Sequence, residues 1–150
     1  MKIFYVCSYG GCGSKMLCEA LKRHGAVEHV HSRKPPEKLE FIGRHGGGRT
    51  YIEWFNGIQV PENQIDDYYV IYIYKNPVKS ILSRFTNPLH LDHIQTSRKT
   101  TIQDVVDSSK DLYGVKEFYD NYTKPGNRNY KIYCVKYEDI FEKQDELSEL

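Results

Sequence analysis

The sequence predicts an α/β protein with a central parallel sheet and helices on both faces. A strand-like run at 2–7 ends in a glycine-rich break and is followed directly by a helical pattern. The most continuous apolar and aromatic stretch, 69–75, lies mid-chain, as expected of a parallel strand covered on both faces. Strand-like and helix-like segments then alternate, which argues for crossover connections and a parallel sheet. At 150 residues the chain is read as one domain, 1–150, large enough to bury a substantial core.

Residues 2–7 (Lys-Ile-Phe-Tyr-Val-Cys) form a short buried strand. Ser8-Tyr9-Gly10-Gly11-Cys12-Gly13 breaks it. A helix follows over about 14–24, with Met16, Leu17, Ala20 and Leu21 on one face and Gly25 as its stop. Residues 27–31 make a second strand, closed by Pro35-Pro36. The run Gly46-Gly47-Gly48 precedes a strand-like stretch at 50–54. After the central strand, Asn76 reads as an N-cap and Pro77 as the first position of a helix reaching about 85. Residues 86–100 read as a loop or lid, and 102–122 as one helix. A turn at Gly126-Asn127, a last strand at 130–136 and an acidic helix at 138–150 complete the pattern.

Composition narrows the function classes. With 39% apolar and 27% charged residues the chain is ordinary for a soluble globular protein. A net charge of +1 provides no global field for nucleic acid or an anionic membrane, and no apolar run reaches the length of a membrane span. The four cysteines, Cys7, Cys12, Cys18 and Cys134, fit neither a paired zinc spacing nor a dense disulfide framework. Cys7, Cys18 and Cys134 sit in apolar segments and are expected to be buried, reduced thiols. That points to a cytoplasmic setting, or a lumenal one if the chain is an excised domain. The thirteen tyrosines fall largely in strand-like runs, where aromatic side chains suit a sheet.

Two segments carry chemistry. Ser8 to Lys15 lies between the first strand and the first helix. Glycines there let backbone N–H groups approach an anion, and the helix N-terminus adds unsatisfied donors and a positive dipole end. Ser14 and Lys15 add a hydroxyl and a charge at the same end. The ATP-type pattern is not met, because Ser14 separates Gly13 from Lys15; a tight turn without ligand is the plain alternative.

The second segment is Lys75-Asn76-Pro77 through Ser83. Helical spacing gathers Val78, Ile81, Leu82 and Phe85 on one side and Asn76, Ser80 and Ser83 on the other. Lys75, at the carboxyl end of its strand, is thereby expected to share an anion with Ser83, where parallel sheets bind ligands. The plain alternative is an amphipathic helix with a wet polar face.

Together these segments resemble the P-loop sulfotransferase family. Ser8-Tyr9-Gly10-Gly11-Cys12-Gly13-Ser14 is similar to its 5′-phosphosulfate loop, and Lys75-Asn76-Pro77 with Ser83 to its 3′-phosphate segment. Val135-Lys136-Tyr137-Glu138-Asp139-Ile140 resembles a strand-and-helix element found later in many members. The resemblance implies a three-layer P-loop NTPase-like fold and 3′-phosphoadenosine 5′-phosphosulfate as donor, bound without a metal. It implies transfer of a sulfuryl group to a hydroxyl or amine. Gly10, Gly11, Cys12, Gly13, Ser14 and Lys15 would cradle the 5′-phosphosulfate; Lys75 and Ser83 would hold the 3′-phosphate. Two departures stand out: Gly11 occupies the place of the family's loop lysine, and Lys75 that of an arginine, a point charge where the family has a bidentate fork.

Related enzymes place a base near the end of the second strand, where this chain has Glu28-His29-Val30-His31. His29 and His31 share a strand face, and His31 is nearer the loop end, so His31 is the candidate base and Lys15 the candidate replacement for the loop lysine. A surface or half-buried histidine pair is the competing reading. His90, His93, Glu53 and Trp54 are weaker acceptor-side candidates. The acceptor class implied is a carbohydrate or small molecule, and an oligomer is compatible. The alternatives are a small P-loop kinase, opposed by Met16 after the loop lysine and by Lys75 at a strand end, and a non-catalytic nucleotide-binding module, which Gly11 favours.

Overall fold

The computed structural model describes residues 1–39, 44–45, 49–50, 66–86 and 99–142. The strand expected at 50–54 beyond its first residue, the triple glycine, Glu53, Trp54, His90, His93 and the helical tail past 142 lie outside them. The elements are β1 (Lys2–Ser8), α1 (Ser14–Leu21), β2 (Ala26–Val30), β3 (Arg44–His45), β4 (Arg49–Thr50), β5 (Asp67–Tyr74), α2 (Pro77–Leu82), α3 (Ile102–Ser108), α4 (Val115–Thr123), β6 (Ile132–Lys136) and α5 (Asp139–Glu142).

The sheet runs β4-β3-β2-β1-β5-β6. The four strands β2, β1, β5 and β6 are all parallel. β3 joins β2 in parallel at His29–His45, and β4 is antiparallel to β3. The fold is therefore α/β, with β1 and β5 at the centre. Both have apolar side chains on both faces, which explains their near-continuous hydrophobic reading.

Strand alternation divides those side chains between two cores. Ile3, Tyr5, Cys7, Val70 and Tyr72 face Tyr113 and the α4 residues Phe118 and Tyr122. Phe4, Val6, Val27 and Ile73 face Cys18, Leu17 and Leu21 of α1, with Ile140 of α5. Aromatic stacking tightens the first core: the Tyr72 and Tyr122 rings lie 4.6 Å apart and the Phe118 and Tyr122 rings 5.1 Å apart. Each such contact contributes about 0.5–1.5 kcal/mol beyond burial. This is where most of the tyrosine excess goes.

The chain passes from β1 outward to β2, and on the other side of β1 from β5 outward to β6. Strands added in opposite directions with one crossover hand put their helices on opposite faces. The carboxyl ends of β1 and β5 border a crevice lined by Tyr9, Cys12, Tyr74 and Lys75.

Three expectations need correction. The helix expected over 102–122 is two helices. α3 ends at Ser109 in the left-handed region (φ 52°), and α4 starts after Gly114 (φ 63°). Asp111, in the connection, accepts from the Glu117 N–H at 2.9 Å and so serves the first turn of α4. Cys134, on the edge strand β6, is exposed, whereas Cys12 is buried, as are Cys7 and Cys18. Finally, the α2 segment buries only half of its apolar side, Ile81 and Phe85 packing on the core. Val78 and Leu82 are exposed, while Ser80 and Arg84 are buried at 1% exposure each.

Candidate functional site

The loop after β1 depends on glycine for two reasons. Gly10 and Gly11 have φ of 94° and 63°, the region that side chains disfavour. They are also packed from behind: a Cβ at Gly10 would strike the Arg84 guanidinium, and one at Gly11 the Ser83 hydroxyl. Gly13 (φ 80°) then opens α1 as its N-cap, with no side chain capping the helix. The contrast with its neighbours is informative. Asn76 accepts from Val78 and Lys79 N–H groups at the start of α2, Thr101 caps α3 and Asp111 serves α4. Among the described residues the first-turn N–H groups of α1 have no such side-chain acceptor, and they stand at the carboxyl end of β1.

Behind the crest the loop is held firmly. Tyr9 is buried, and its hydroxyl donates to the Tyr113 carbonyl at 2.9 Å. Cys12 lies 3.3 Å from the Gly10 carbonyl and 3.6 Å from Ser80 Oγ. Burial raises its thiol pKa, partly opposed by the Ser80 bond and by Lys75 and Arg84, so Cys12 is an internal strut with little thiolate character. Arg84 is the central brace. Its Nη2 donates to the Tyr9 carbonyl at 2.6 Å and its guanidinium lies 4.7 Å from the Tyr9 ring centroid. Sequence reasoning missed Arg84. The available signal was its place four residues after Ser80, on the small, polar side of α2.

The segment after β5 meets this loop directly, through Ser80 on Cys12 and Ser83 on Gly11. Lys75 lines a cavity of about 570 Å³ together with Tyr9, Cys12, Asn76, Lys79 and Ser80. Tyr74, Tyr119, Lys116, Lys136 and Glu138 also stand in its wall. Ser83 is not part of that wall; its hydroxyl donates to the Ser80 carbonyl at 2.7 Å, against Gly11. Ser80 lines the cavity beside Lys75, and the Ser83 hydroxyl proton is engaged by the Ser80 carbonyl. Four lysines against one carboxylate make the cavity electropositive. Glu138 is tied down: one oxygen accepts from the Asn76 N–H at 3.0 Å, and that bond, with Lys136 and Lys79 nearby, lowers its pKa. A larger groove of about 1220 Å³ runs between Pro35-Pro36, α4 and residues 124–130, with charges of both signs and no loop residue.

On the other side of the loop stand the histidines of β2. His31 Nδ1 lies 2.8 Å from the Ser8 carbonyl and 3.1 Å from Ser8 Oγ. A carbonyl only accepts, so Nδ1 carries the proton and the lone pair of neutral His31 is on Nε2. His29 is buried, with Nε2 2.9 Å from Ser14 Oγ, and its ring is edge-on to His31 at 4.5 Å. Lys15 is exposed on the first turn of α1, with no hydrogen bond or ion pair to it among the described residues. Tyr137 packs on Gly13 from the α1 face. Among the described residues no group of three or more His, Cys, Asp or Glu side chains is placed to hold a metal, and no helix is long and apolar enough to cross a membrane.

No family model matches the chain, and no curated protein or solved structure is significantly similar to it.

Proposed function

We propose that this chain is a sulfotransferase of P-loop type, which binds 3′-phosphoadenosine 5′-phosphosulfate across the carboxyl ends of β1 and β5. One observation carries the reading. The two segments that resemble the family's donor-binding motifs are distant in sequence, yet they touch in the crevice between the central strands, through Arg84 on Tyr9 and Ser83 on Gly11.

The donor supplies an activated sulfuryl group on a phosphate leaving group. The residues present suit its anionic ends. The uncapped first turn of α1, with Gly13 and Ser14, presents donors to the 5′-phosphosulfate; such preorganised donors stabilise charge that develops on a leaving group. Lys75, with Lys79 and Lys136 on the same cavity, provides charge for the 3′-phosphate. Asn76 keeps its side chain on the α2 N–H groups and acts as scaffold. Nε2 of His31 has the lone pair that removal of the acceptor's proton requires, near the loop that would hold the sulfuryl group. The exposed position of Gly11, where the family has its lysine, favours a second reading, a nucleotide-binding module without transfer.

Thermal unfolding with 3′-phosphoadenosine 5′-phosphate, beside magnesium ATP and AMP, tests the donor site. Ligand at a hundred times its Kd adds about 2.7 kcal/mol, a shift of roughly 5–10 °C for a domain of this size. A shift specific to the 3′-phosphorylated nucleotide, followed by sulfate transfer in an acceptor screen, is the expected result. A shift without transfer selects the binding module. A response to magnesium ATP alone, or to none of the three, removes the proposal.

A further inference from the structure

β2 is buried along its whole length, and that includes a histidine. An imidazole buried to 5% exposure is costly unless hydrogen-bonded. One bond goes from Nε2 to the hydroxyl oxygen of Ser14, a residue itself 5% exposed and the first of helix α1. At the other end of the same loop His31 is bonded to Ser8. The pair of imidazoles thus brackets the glycine loop, one at each end.

A serine hydroxyl has one proton, so the sense of the His29–Ser14 bond decides what Ser14 can offer. If Nε2 accepts, the proton is used up against β2, and the oxygen faces the loop with lone pairs alone. Such an oxygen is positioned to cap the α1 N–H groups or to repel an anion. Among the described residues no side-chain oxygen caps α1. If Nε2–H donates, a lone pair is turned to His29, and the Ser14 proton remains to be given to an oxyanion in front of the helix.

We propose that His29 is the positioning residue of the anion loop: it donates Nε2–H to Ser14 Oγ and so fixes the Ser14 hydroxyl as a donor toward a bound sulfate or phosphate oxygen. This rests on the loop being an oxyanion site, but not on the nucleotide or on transfer. His31, held on Ser8 as the opposite tautomer, with its proton on Nδ1, packs edge-on against the His29 ring.

Two measurements on the intact chain decide it. Long-range proton–nitrogen spectra of the imidazoles, recorded near pH 8, should show His29 with its proton on Nε2 and His31 with its proton on Nδ1. A proton on Nδ1 alone at His29 overturns the proposal. Titration with inorganic sulfate, followed by backbone shifts of Gly13 and Ser14, should lose about tenfold in affinity in His29→Ala and in Ser14→Ala, the scale of one charge-assisted hydrogen bond. The double variant should lose no more than either single one. His29→Gln, whose amide nitrogen can still donate, should recover most of the loss. Recovery is the result that a purely structural histidine does not give. Equal weakness in the Gln and Ala variants, additive losses, or no sulfate response in the unaltered chain each overturns the proposal. If His29→Ala does not fold, the tautomer and the Gln variant still decide. Sulfate binding without any response to 3′-phosphoadenosine 5′-phosphate would remove the donor reading and leave this one standing.

Discussion

Arg84 Nη2 donates to the Tyr9 carbonyl at 2.6 Å while the same guanidinium covers the Tyr9 ring. The residue after Ser83 is thus fastened to the residue before Gly10, so the two candidate donor-binding segments are one mechanical unit. Arg84→Ala would strand a buried carbonyl and leave a void under the loop, at a cost of about 2–4 kcal/mol. Arg84→Lys should recover little, since an ammonium reproduces neither the fork nor the stacking. Urea unfolding of the three proteins measures both differences. Equal midpoints for Arg84→Ala and the unaltered chain would mean that the brace contributes nothing.

Gly10→Ala meets two obstacles together, a positive φ and the guanidinium behind it. The expected destabilisation is about 2 kcal/mol or more, with loss of sulfate and nucleotide binding. Gly11→Ala meets the Ser83 hydroxyl in the same way, but Gly11 is exposed, so its stability loss should be smaller and its binding loss similar. The comparison of melting and titration data separates the two positions. A Gly10→Ala protein as stable as the unaltered chain contradicts the packing described.

On the nucleotide side, Lys75→Ala should weaken binding of 3′-phosphoadenosine 5′-phosphate by about tenfold, as expected for loss of a charged phosphate contact. Ser83→Ala should change it by less than about twofold, since its hydroxyl is spent on the Ser80 carbonyl. Ser80→Ala, beside Lys75 in the cavity, should fall between them. A larger loss at Ser83 than at Ser80, measured calorimetrically, would assign the phosphate to Lys75 and Ser83, as the motif spacing suggests.

The contrast between Lys75 and Ser83 also shows what the sequence made legible. β1, β5, the glycine break and the capped start of α2 were readable because each is decided locally: by side-chain period, by glycine, by an Asn-Pro pair. The division of helices between the faces followed from strand alternation. The orientation of α2 was not readable. Its apolar residues imply one buried side, yet only Ile81 and Phe85 join the core, while the opposite side carries Ser80 and Arg84 beneath the loop. That preference arises from a carbonyl at Tyr9 needing a donor, a demand made 75 positions earlier in the chain. The break in the helix expected at 102–122 was hidden for a related reason. Ser109 accepts a left-handed conformation that its residue type does not announce. His29 was visible as half of a pair, but its bond to Ser14 depends on where α1 starts relative to β2.

Glu138 provides a pH test. Its pKa is lowered first by the Asn76 N–H bond and then by Lys136 and Lys79. A carboxyl whose folded pKa lies below its unfolded one stabilises the fold above the unfolded pKa, and that stabilisation is lost as pH falls through the folded pKa. Glu138→Gln should therefore cost about 0.5–1 kcal/mol at pH 7, kept small by the partial exposure of the group. It should cost nearly nothing at pH 3. A deficit that stays constant from pH 7 to pH 3 would assign the effect to packing.

The thiols give the last prediction. Cys7, Cys12 and Cys18 are buried and Cys134 is exposed. Burial also pushes the Cys18 thiol up to about 12 and raises that of Cys12, so neither offers a reactive thiolate at neutral pH. Burial raises the Cys134 thiol as well, but its exposure leaves it open to reagent. An aromatic disulfide reagent added to the folded protein near pH 8 should therefore react first with Cys134, with the other three following only on unfolding. Cys134→Ser should abolish the fast phase and leave stability almost unchanged. Donor nucleotide should slow the reaction of Cys12 further, because Cys12 becomes accessible only if the loop opens away from Ser80 and Arg84. A fast phase that persists in Cys134→Ser and is suppressed by the nucleotide would place an open loop in the resting state, contrary to the braced arrangement of Tyr9, Cys12 and Arg84.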